Sequence, residues 1–320
     1  MANSEQILTL IKSHVGGDDD RFRTTALQIA AMESKAGHGA LSRLIKEAIE
    51  GNGKGIIRRM PPINAELSDM ILPVKMPFRI EDLISSEEVN IKINRIIREY
   101  VQREKLAEFN LGNRRKILLS GPSGTGKTMT ASILGNELHL PLYVVLMEKV
   151  ITKFMGESSL KLSRVFEVIA DVPGVYLFDE FDAIGSQRGL ENEVGEQRRI
   201  LNTFLQLMER DDSESIIVAA TNSAGVLDKA LFRRFDDVVE YNLPNSEECQ
   251  RIIYRQLGYY LPTNFDISSL LPLFDGMSHA EITMVCKDIL KESLLNDASL
   301  NKQLIEKVVT QQYSAYKGAV

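Results

Sequence analysis

The sequence predicts an α/β fold, in which a parallel five-stranded sheet is flanked by helices and followed by a C-terminal helical lid. Between residues 78 and 243, short apolar runs alternate with helix-like segments, whereas residues 244–320 contain no convincing strand. Such alternation is typical of right-handed crossovers between parallel strands. The apolar runs that predict buried strands are Lys116–Ser120, Leu142–Leu146, Val175–Phe178 and Ile216–Ala220.

The segments before the sheet predict a small helical module over residues 1–50 and a linker over residues 51–77. Apolar positions at helical spacing, broken twice by glycine-containing segments, divide residues 1–50 into three helical stretches. Residues 51–77 are rich in glycine and proline, which punctuate regular structure. Because 50 residues cannot enclose a large core, we expect the module to dock on a partner or on the rest of the chain.

The composition constrains the class of partner. Lys and Arg number 38 and Asp and Glu number 44, which gives a formal net charge of −6 over 320 residues. A mildly acidic chain is not built to coat nucleic acid, so this partner is disfavoured. The N-terminal residues lack a secretory pattern, and no apolar run approaches the roughly 20 residues that span a bilayer. We therefore expect a cytoplasmic protein with no membrane partner.

A glycine-rich turn follows the first predicted strand and opens a helix. It reads Gly121-Pro122-Ser123-Gly124-Thr125-Gly126-Lys127-Thr128, with Met129 next. Strand, turn and helix in this order predict a P-loop NTPase, whose backbone N–H groups and helix N-terminus bind phosphate. Lys127 is expected to reach the β and γ phosphates and Thr128 to ligate Mg²⁺. The sequence thus predicts ATP and Mg²⁺ as cofactors, with ATP contacts from Pro122, Ser123, Gly124, Thr125, Gly126, Lys127, Thr128 and Met129.

Polar residues at the ends of two later strands predict the hydrolytic groups. Asp179 and Glu180 follow Val175–Phe178 directly, where an α/β fold places its ligands. Asp179 fits the Mg²⁺ contact, and Glu180 fits the base that polarises the attacking water. Asn222 follows the strand from Ile216 and could bind the γ-phosphate or that water. A solvated turn for the carboxylates and an Asx-turn for Asn222 are the alternatives.

Two adjacent arginines, Arg233 and Arg234, end a short helical stretch. Arginines beside a phosphate site can stabilise the charge of phosphoryl transfer. A surface salt bridge with Asp236 and Asp237 is the alternative, and the local sequence leaves both open.

These segments, in this order, resemble the AAA family of ring-forming ATPases within the wider AAA+ group, over about residues 78–300. Gly121–Thr128 resembles its Walker A motif and Phe178–Ile184 its Walker B motif with the helix that follows. Asn222 is similar to sensor 1, and Thr221–Asp236 to the second region of homology. The resemblance implies a homo-oligomeric ring, usually a hexamer, in which the paired arginines act on ATP bound by the adjacent subunit.

Two further segments resemble the parts of the family that contact the adenine base and belong to the lid. Glu81–Ile84 resembles the start of the module, where Leu83 and Ile84 would lie against adenine, although Ile84 replaces a glycine. Gly276–Ile282 resembles the lid segment, with His279 where glycine is usual. His279 and Ala280 would then contact ribose or adenine. A surface or core histidine is the alternative reading of His279.

The segment Ile151–Ser158 resembles pore loop 1 of the family, in which an aromatic residue faces a central channel. Here Lys153, Phe154 and Met155 would grip an extended polypeptide, because an aromatic ring beside a flexible methionine forms an adaptable apolar contact. A buried phenylalanine at a helix start is the alternative. Residues 189–196 would form pore loop 2, and their acidic character disfavours a nucleic-acid track.

The resemblance implies an ATP-hydrolysing ring motor that remodels or unfolds protein substrates through a central pore. Residues 1–50 would recruit the substrate or an adaptor. The chain carries no His-Glu-x-x-His motif, so any proteolysis would come from a separate protease partner. The alternatives are a DNA- or RNA-associated ATPase of the loader type and a nucleotide-controlled assembly switch.

Overall fold

A computed structural model describes residues 8–10, 12–13, 19–35, 42, 67, 69–151, 156–182, 191–222, 229–262 and 265–317. The chain divides into two compact units, Met1–Pro61 and Pro62–Val320. In the first unit, helix α1 spans Asp19–Lys35 and buries Ala26, Ile29 and Ala30. Most of the predicted N-terminal module lies outside the described residues, so its boundaries stay predictions.

The second unit contains a six-stranded sheet with the order β1-β3-β4-β5-β2-β6. Its five strands β2 to β6 run parallel to their neighbours, whereas β1 pairs antiparallel with β3. The predicted parallel sheet is therefore confirmed, and it carries one additional edge strand. The strands are β1 (Ile71–Val74), β2 (Lys116–Ser120), β3 (Leu142–Val145), β4 (Val175–Phe178), β5 (Ile216–Thr221) and β6 (Asp237–Glu240).

The two edge strands are the ones that the apolar runs did not reveal. Strand β1 buries only Ile71, and it lies within the range predicted as a linker. Strand β6 buries only Val239. An edge strand needs no continuous apolar run, because part of its surface stays in water. Pro73 is compatible with β1 because a proline is tolerated at a sheet edge.

Helices flank the sheet and form a separate lid after it. The helices of the second unit are α2 (Glu87–Val101), α3 (Arg103–Ala107), α4 (Lys127–Glu137), α5 (Met147–Val150), α6 (Glu157–Asp171), α7 (Glu191–Arg210), α8 (Lys229–Phe232), α9 (Ser246–Leu257), α10 (His279–Leu295) and α11 (Lys302–Lys317), with 3-10 turns at Ile80–Asp82 and Ile267–Phe274. Among the described residues, no helix has the length and apolar character needed to cross a membrane.

The α/β part and the lid have distinct apolar cores. The first core lies on the sheet and includes Leu119, Ile133 and Val218, all fully buried. The lid core is formed by α9, α10, α11 and the second 3-10 turn. It contains Cys249 and Cys286, which are buried free thiols. The predicted α/β domain and C-terminal helical lid are thus both present.

The lid helices start at residues with well-formed caps. Asn245 accepts a hydrogen bond from the Glu248 N–H, and Ser278 accepts one from the Glu281 N–H. In each case the glutamate carboxylate accepts a hydrogen bond from the backbone N–H of the capping residue. Such capping boxes satisfy donors that a helix start would otherwise leave unpaired. The N-terminus of α10 lies at the glycine-rich turn, where the Ala280 N–H donates to the Gly124 oxygen at 3.0 Å.

Candidate nucleotide-binding site

The glycine-rich turn joins β2 to α4, as the strand–turn–helix pattern predicts. Gly121 has φ of 143°, and a Cβ there would lie 2.2 Å from the carbonyl oxygen of Tyr241. Gly124 has φ of 74°, and its Cβ would lie 2.6 Å from Ser278 Oγ. Positive φ together with such close neighbours restricts both positions to glycine. The turn is therefore packed between the end of β6 and the lid.

We expect Gly124→Ala to lower ATP affinity. The added methyl group would strain a left-handed backbone and displace the lid from the turn, where the Ala280 N–H donates to the Gly124 oxygen at 3.0 Å. A strain of about 1–3 kcal/mol corresponds to an affinity loss of roughly 5- to 160-fold. Titration with a fluorescent ATP analogue measures this. Gly112→Ala is the matched control, because nothing lies within 4 Å of its added Cβ. Equal affinities of the two variants would contradict the argument.

Lys127 lies at the first turn of α4 and is 6% exposed. Its Nζ donates to the carbonyl oxygens of Gly121 and Pro122, each at 2.7 Å. Burial lowers the pKa of Lys127, and the carboxylates of Asp179 and Asp182 act in the opposite direction. A buried ammonium group inside the turn is suited to the phosphates of a nucleotide.

The two predicted Mg²⁺ ligands contact each other. Thr128 Oγ1 donates to Asp179 Oδ2 at 2.9 Å, so the start of α4 and the end of β4 meet at this point. A hydroxyl and a carboxylate oxygen are the donor types that Mg²⁺ prefers in phosphate sites. The pair therefore fits an ion that would be shared with nucleotide phosphates.

Glu180, the predicted base, is exposed and lies in the left-handed region with φ of 52°. Its N–H donates to Asp179 Oδ1 at 2.9 Å. A glutamate with positive φ is uncommon, and such strain is concentrated at functional sites. The turn thus presents the Glu180 side chain at the carboxyl end of β4.

Asp182 is a site residue that the sequence reasoning did not single out. Its Oδ1 accepts hydrogen bonds from Thr221 Oγ1 at 3.1 Å and from the Asn222 N–H at 3.2 Å. The Phe181 N–H also donates to the Ala220 oxygen at 2.8 Å. These bonds join the ends of β4 and β5 and fix the backbone at Asn222. The available signal was a further carboxylate within the Walker B segment.

One cavity of about 730 Å³ brings most of the predicted site residues together. The residues that line it and were predicted are Leu83, Ile84, Ser123, Gly124, Thr125, Gly126, Lys127, Thr128, Met129, Asp179, Glu180, Asn222, His279 and Ala280. Pro122 is not among the described lining residues, and its carbonyl oxygen instead accepts from Lys127 and Thr125. Residues not predicted also line the cavity, namely Phe78, Asp82, Ile252, Arg255, Gln256, Thr283, Met284 and Lys287.

His279 contributes an imidazole from the lid. Both of its ring nitrogens are buried and lack a hydrogen-bond partner among the described residues. Burial lowers the pKa of His279, and the Glu248 carboxylate, 4.0 Å from Nε2, opposes this shift. A neutral imidazole with an unused donor and acceptor is therefore available at the cavity wall.

The two arginines lie apart from this cavity. Arg233 and Arg234 are exposed after α8, and neither is among the described residues that line it. Arg234 forms an ion pair with Glu209 of α7. The sequence also allowed a salt bridge of the arginines with Asp236 and Asp237, but these carboxylates bond elsewhere. Asp236 accepts from the backbone N–H groups at 115 and 116, and Asp237 pairs with Arg114. The pore-loop residues Lys153, Phe154 and Met155 lie outside the described residues.

Comparison with known proteins agrees with this geometry. Residues 117–243 match the model of the ATPase family associated with various cellular activities (AAA). An AAA family ATPase of Sinorhizobium fredii is 28% identical over 92% of this chain and 90% of its own length. A 26S proteasome regulatory subunit homologue of Methanothermobacter marburgensis is 30% identical over 70% of this chain and 61% of its own length.

A third relative is a proteasome-activating nucleotidase of Methanothermobacter thermautotrophicus, which is 34% identical over 54% of this chain and 44% of its own length. The chain thus spans nearly all of the first relative and less than two thirds of the other two. The matched range contains the glycine-rich turn, both strand-end carboxylates and the paired arginines. Residues 117–243 thus form a domain of the AAA family of ATPases.

Proposed function

We propose that this ATPase forms a homo-oligomeric ring and remodels or unfolds protein substrates through a central pore. One observation carries the proposal. The predicted phosphate, metal and water-activating groups line one cavity, whereas Arg233 and Arg234 are exposed outside it. In a closed ring, a head-to-tail interface places one face of a subunit against a different face of the next. Exposed arginines on one face can then complete the site of the neighbour.

The proposed hydrolysis uses the described groups in separate roles. Lys127 would bind the β and γ phosphates, while Thr128 and Asp179 would hold Mg²⁺. Bound Mg²⁺ would neutralise charge on the phosphate oxygens. Glu180 would accept a proton from the attacking water, and Asn222, fixed by Asp182, would orient that water or the γ-phosphate. The arginines of the adjacent subunit would stabilise the charge of the transition state.

Protein is the substrate class that the chain supports best. Two of the relatives have names that refer to regulation or activation of the proteasome. The net charge of −6 disfavours a polyanionic track. A separate protease or adaptor is the partner that such a ring would serve. ATPase assays with an unfolded protein and with DNA distinguish the classes, since we expect stimulation by the unfolded protein alone.

We expect Phe154→Ala to retain basal ATPase activity and to lose protein unfolding. The change removes the aromatic grip proposed for the pore and alters none of the groups proposed to bind or hydrolyse ATP. Unfolding of a fluorescent reporter protein measures the effect. Phe109→Ala is the matched control, because Phe109 is 68% exposed elsewhere on the surface. Undiminished unfolding by Phe154→Ala would contradict the pore assignment.

A further inference from the structure

The segment Ile80–Ile84 belongs to both parts of the second unit. Leu83 is 4% exposed and packs in the core of the α/β part. Its neighbour Ile84 packs instead against the lid core. Both residues line the nucleotide cavity. A shift of the lid relative to the sheet would therefore move Ile84 relative to Leu83.

Arg255 joins the lid to the same segment. It extends from α9, and its Nη1 donates to the carbonyl oxygens of Glu81 at 3.2 Å and Asp82 at 2.9 Å. Its Nη2 forms a hydrogen-bonded ion pair with the Asp82 carboxylate. The guanidinium group thus holds two successive backbone carbonyls and one side chain. A planar group with several fixed donors restrains its partners more closely than a lysine does.

Asp82 in turn closes the 3-10 turn on which the segment begins. Its Oδ2 accepts from the Arg79 N–H at 2.8 Å. This backbone bond, together with Arg255, lowers the pKa of Asp82, so its carboxylate is charged at neutral pH. An exposed ion pair alone contributes little to stability. The significance of this one is geometric, because it fixes the backbone orientation immediately before Leu83 and Ile84.

We propose that Arg255 is a positioning residue that fixes the segment Ile80–Ile84 against the lid and thereby sets the preference for adenine over guanine. The proposal rests on the proposed ATPase function and on the placement of Leu83 and Ile84 against adenine, which the resemblance to the AAA family implies. Adenine presents an amino donor where guanine presents a carbonyl acceptor. A backbone held in one orientation offers a fixed set of donors and acceptors, and it therefore favours one base. Once Arg255 is removed, the carbonyls of Glu81 and Asp82 can rotate and the segment can adapt to either base.

The test compares the affinities for ATP and GTP, measured by displacement of a fluorescent nucleotide from the full chain. We expect the wild type to prefer ATP. Arg255→Gln should weaken ATP binding about tenfold and change GTP binding little, because the binding energy of the fixed segment is specific to adenine. Asp82→Asn should have a smaller effect in the same direction, since the guanidinium still reaches both carbonyls. Arg251→Gln, one turn earlier on α9 and exposed, should leave both affinities unchanged.

Each outcome decides the proposal. If Arg255→Gln weakened ATP and GTP equally, Arg255 would have only a general structural role and the proposal would be overturned. If Arg255→Gln preferred ATP as strongly as the wild type does, the role of Arg255 would be overturned, but the placement of Leu83 and Ile84 against adenine would stand. Equal binding of ATP and GTP by the wild type would overturn both. If circular dichroism shows that Arg255→Gln is unfolded, the ratio of ATP affinity to GTP affinity is measured in Arg255→Lys and Asp82→Asn instead. A wild-type ratio in both variants would overturn the proposal.

Discussion

Glu180→Gln is expected to bind ATP with near wild-type affinity and to hydrolyse it at least about a hundredfold more slowly, because a positioned base contributes roughly 10²–10⁴ to the rate. Glutamine preserves the size of the side chain but cannot accept the proton of the attacking water. The change does not touch the bond between Thr128 and Asp179 or the buried ammonium of Lys127. ATP binding and ATP hydrolysis should therefore separate in this variant.

Single-turnover phosphate release and nucleotide titration, measured on the same preparation, test this separation. Glu240→Gln is the matched control, because Glu240 is an exposed carboxylate at the end of β6 and is not among the described residues that line the cavity. Glu180→Asn adds a second arm, since asparagine tolerates the left-handed backbone found at this position. It should fold at least as stably as the wild type and still lose turnover. Brisk hydrolysis by both Glu180 variants would remove Glu180 as the base.

Features encoded within a few consecutive residues could be predicted from the sequence. The glycine-rich turn was recognisable because its residues specify a local backbone path, which the positive φ values of Gly121 and Gly124 display. The buried strands were recognisable because both of their faces are covered, so the chain is continuously apolar there. The exposed edge strands β1 and β6 lack this signal.

Features that depend on distant residues could not be predicted in this way. Arg255 and Asp82 are 173 residues apart, and no local pattern in the sequence indicates that they pair. Asp182 contacts the end of β5, although its role depends on a neighbour 40 residues later. His279 was placed at the cavity by resemblance, but its burial and its proximity to Glu248 arise from the packing of α9 against α10. Long-range hydrogen bonds of this kind become visible only once the chain has folded.

Arg234→Ala is expected to leave ATP binding largely intact and to lower hydrolysis about a thousandfold or more, the range typical of an arginine that stabilises phosphoryl transfer. Arg234 does not line the cavity of its own chain within the described residues, so its loss should not weaken binding there. Its ion pair with Glu209 is exposed and contributes little to folding. Arg210→Ala, which removes an exposed arginine next to Glu209, is the matched control for charge.

A mixing experiment decides whether Arg234 acts across a subunit interface. Lys127→Ala subunits should bind ATP poorly but still present Arg234, whereas Arg234→Ala subunits have an intact cavity. Neither variant should turn over ATP alone. In equimolar mixed rings, about a quarter of head-to-tail interfaces pair an intact cavity with an intact arginine, and this fraction does not depend on ring size. Turnover should therefore recover to about a quarter of the wild-type rate per subunit. If mixed rings formed and no turnover returned, Arg234 would act only within its own chain, and the model of a site shared between subunits would be wrong.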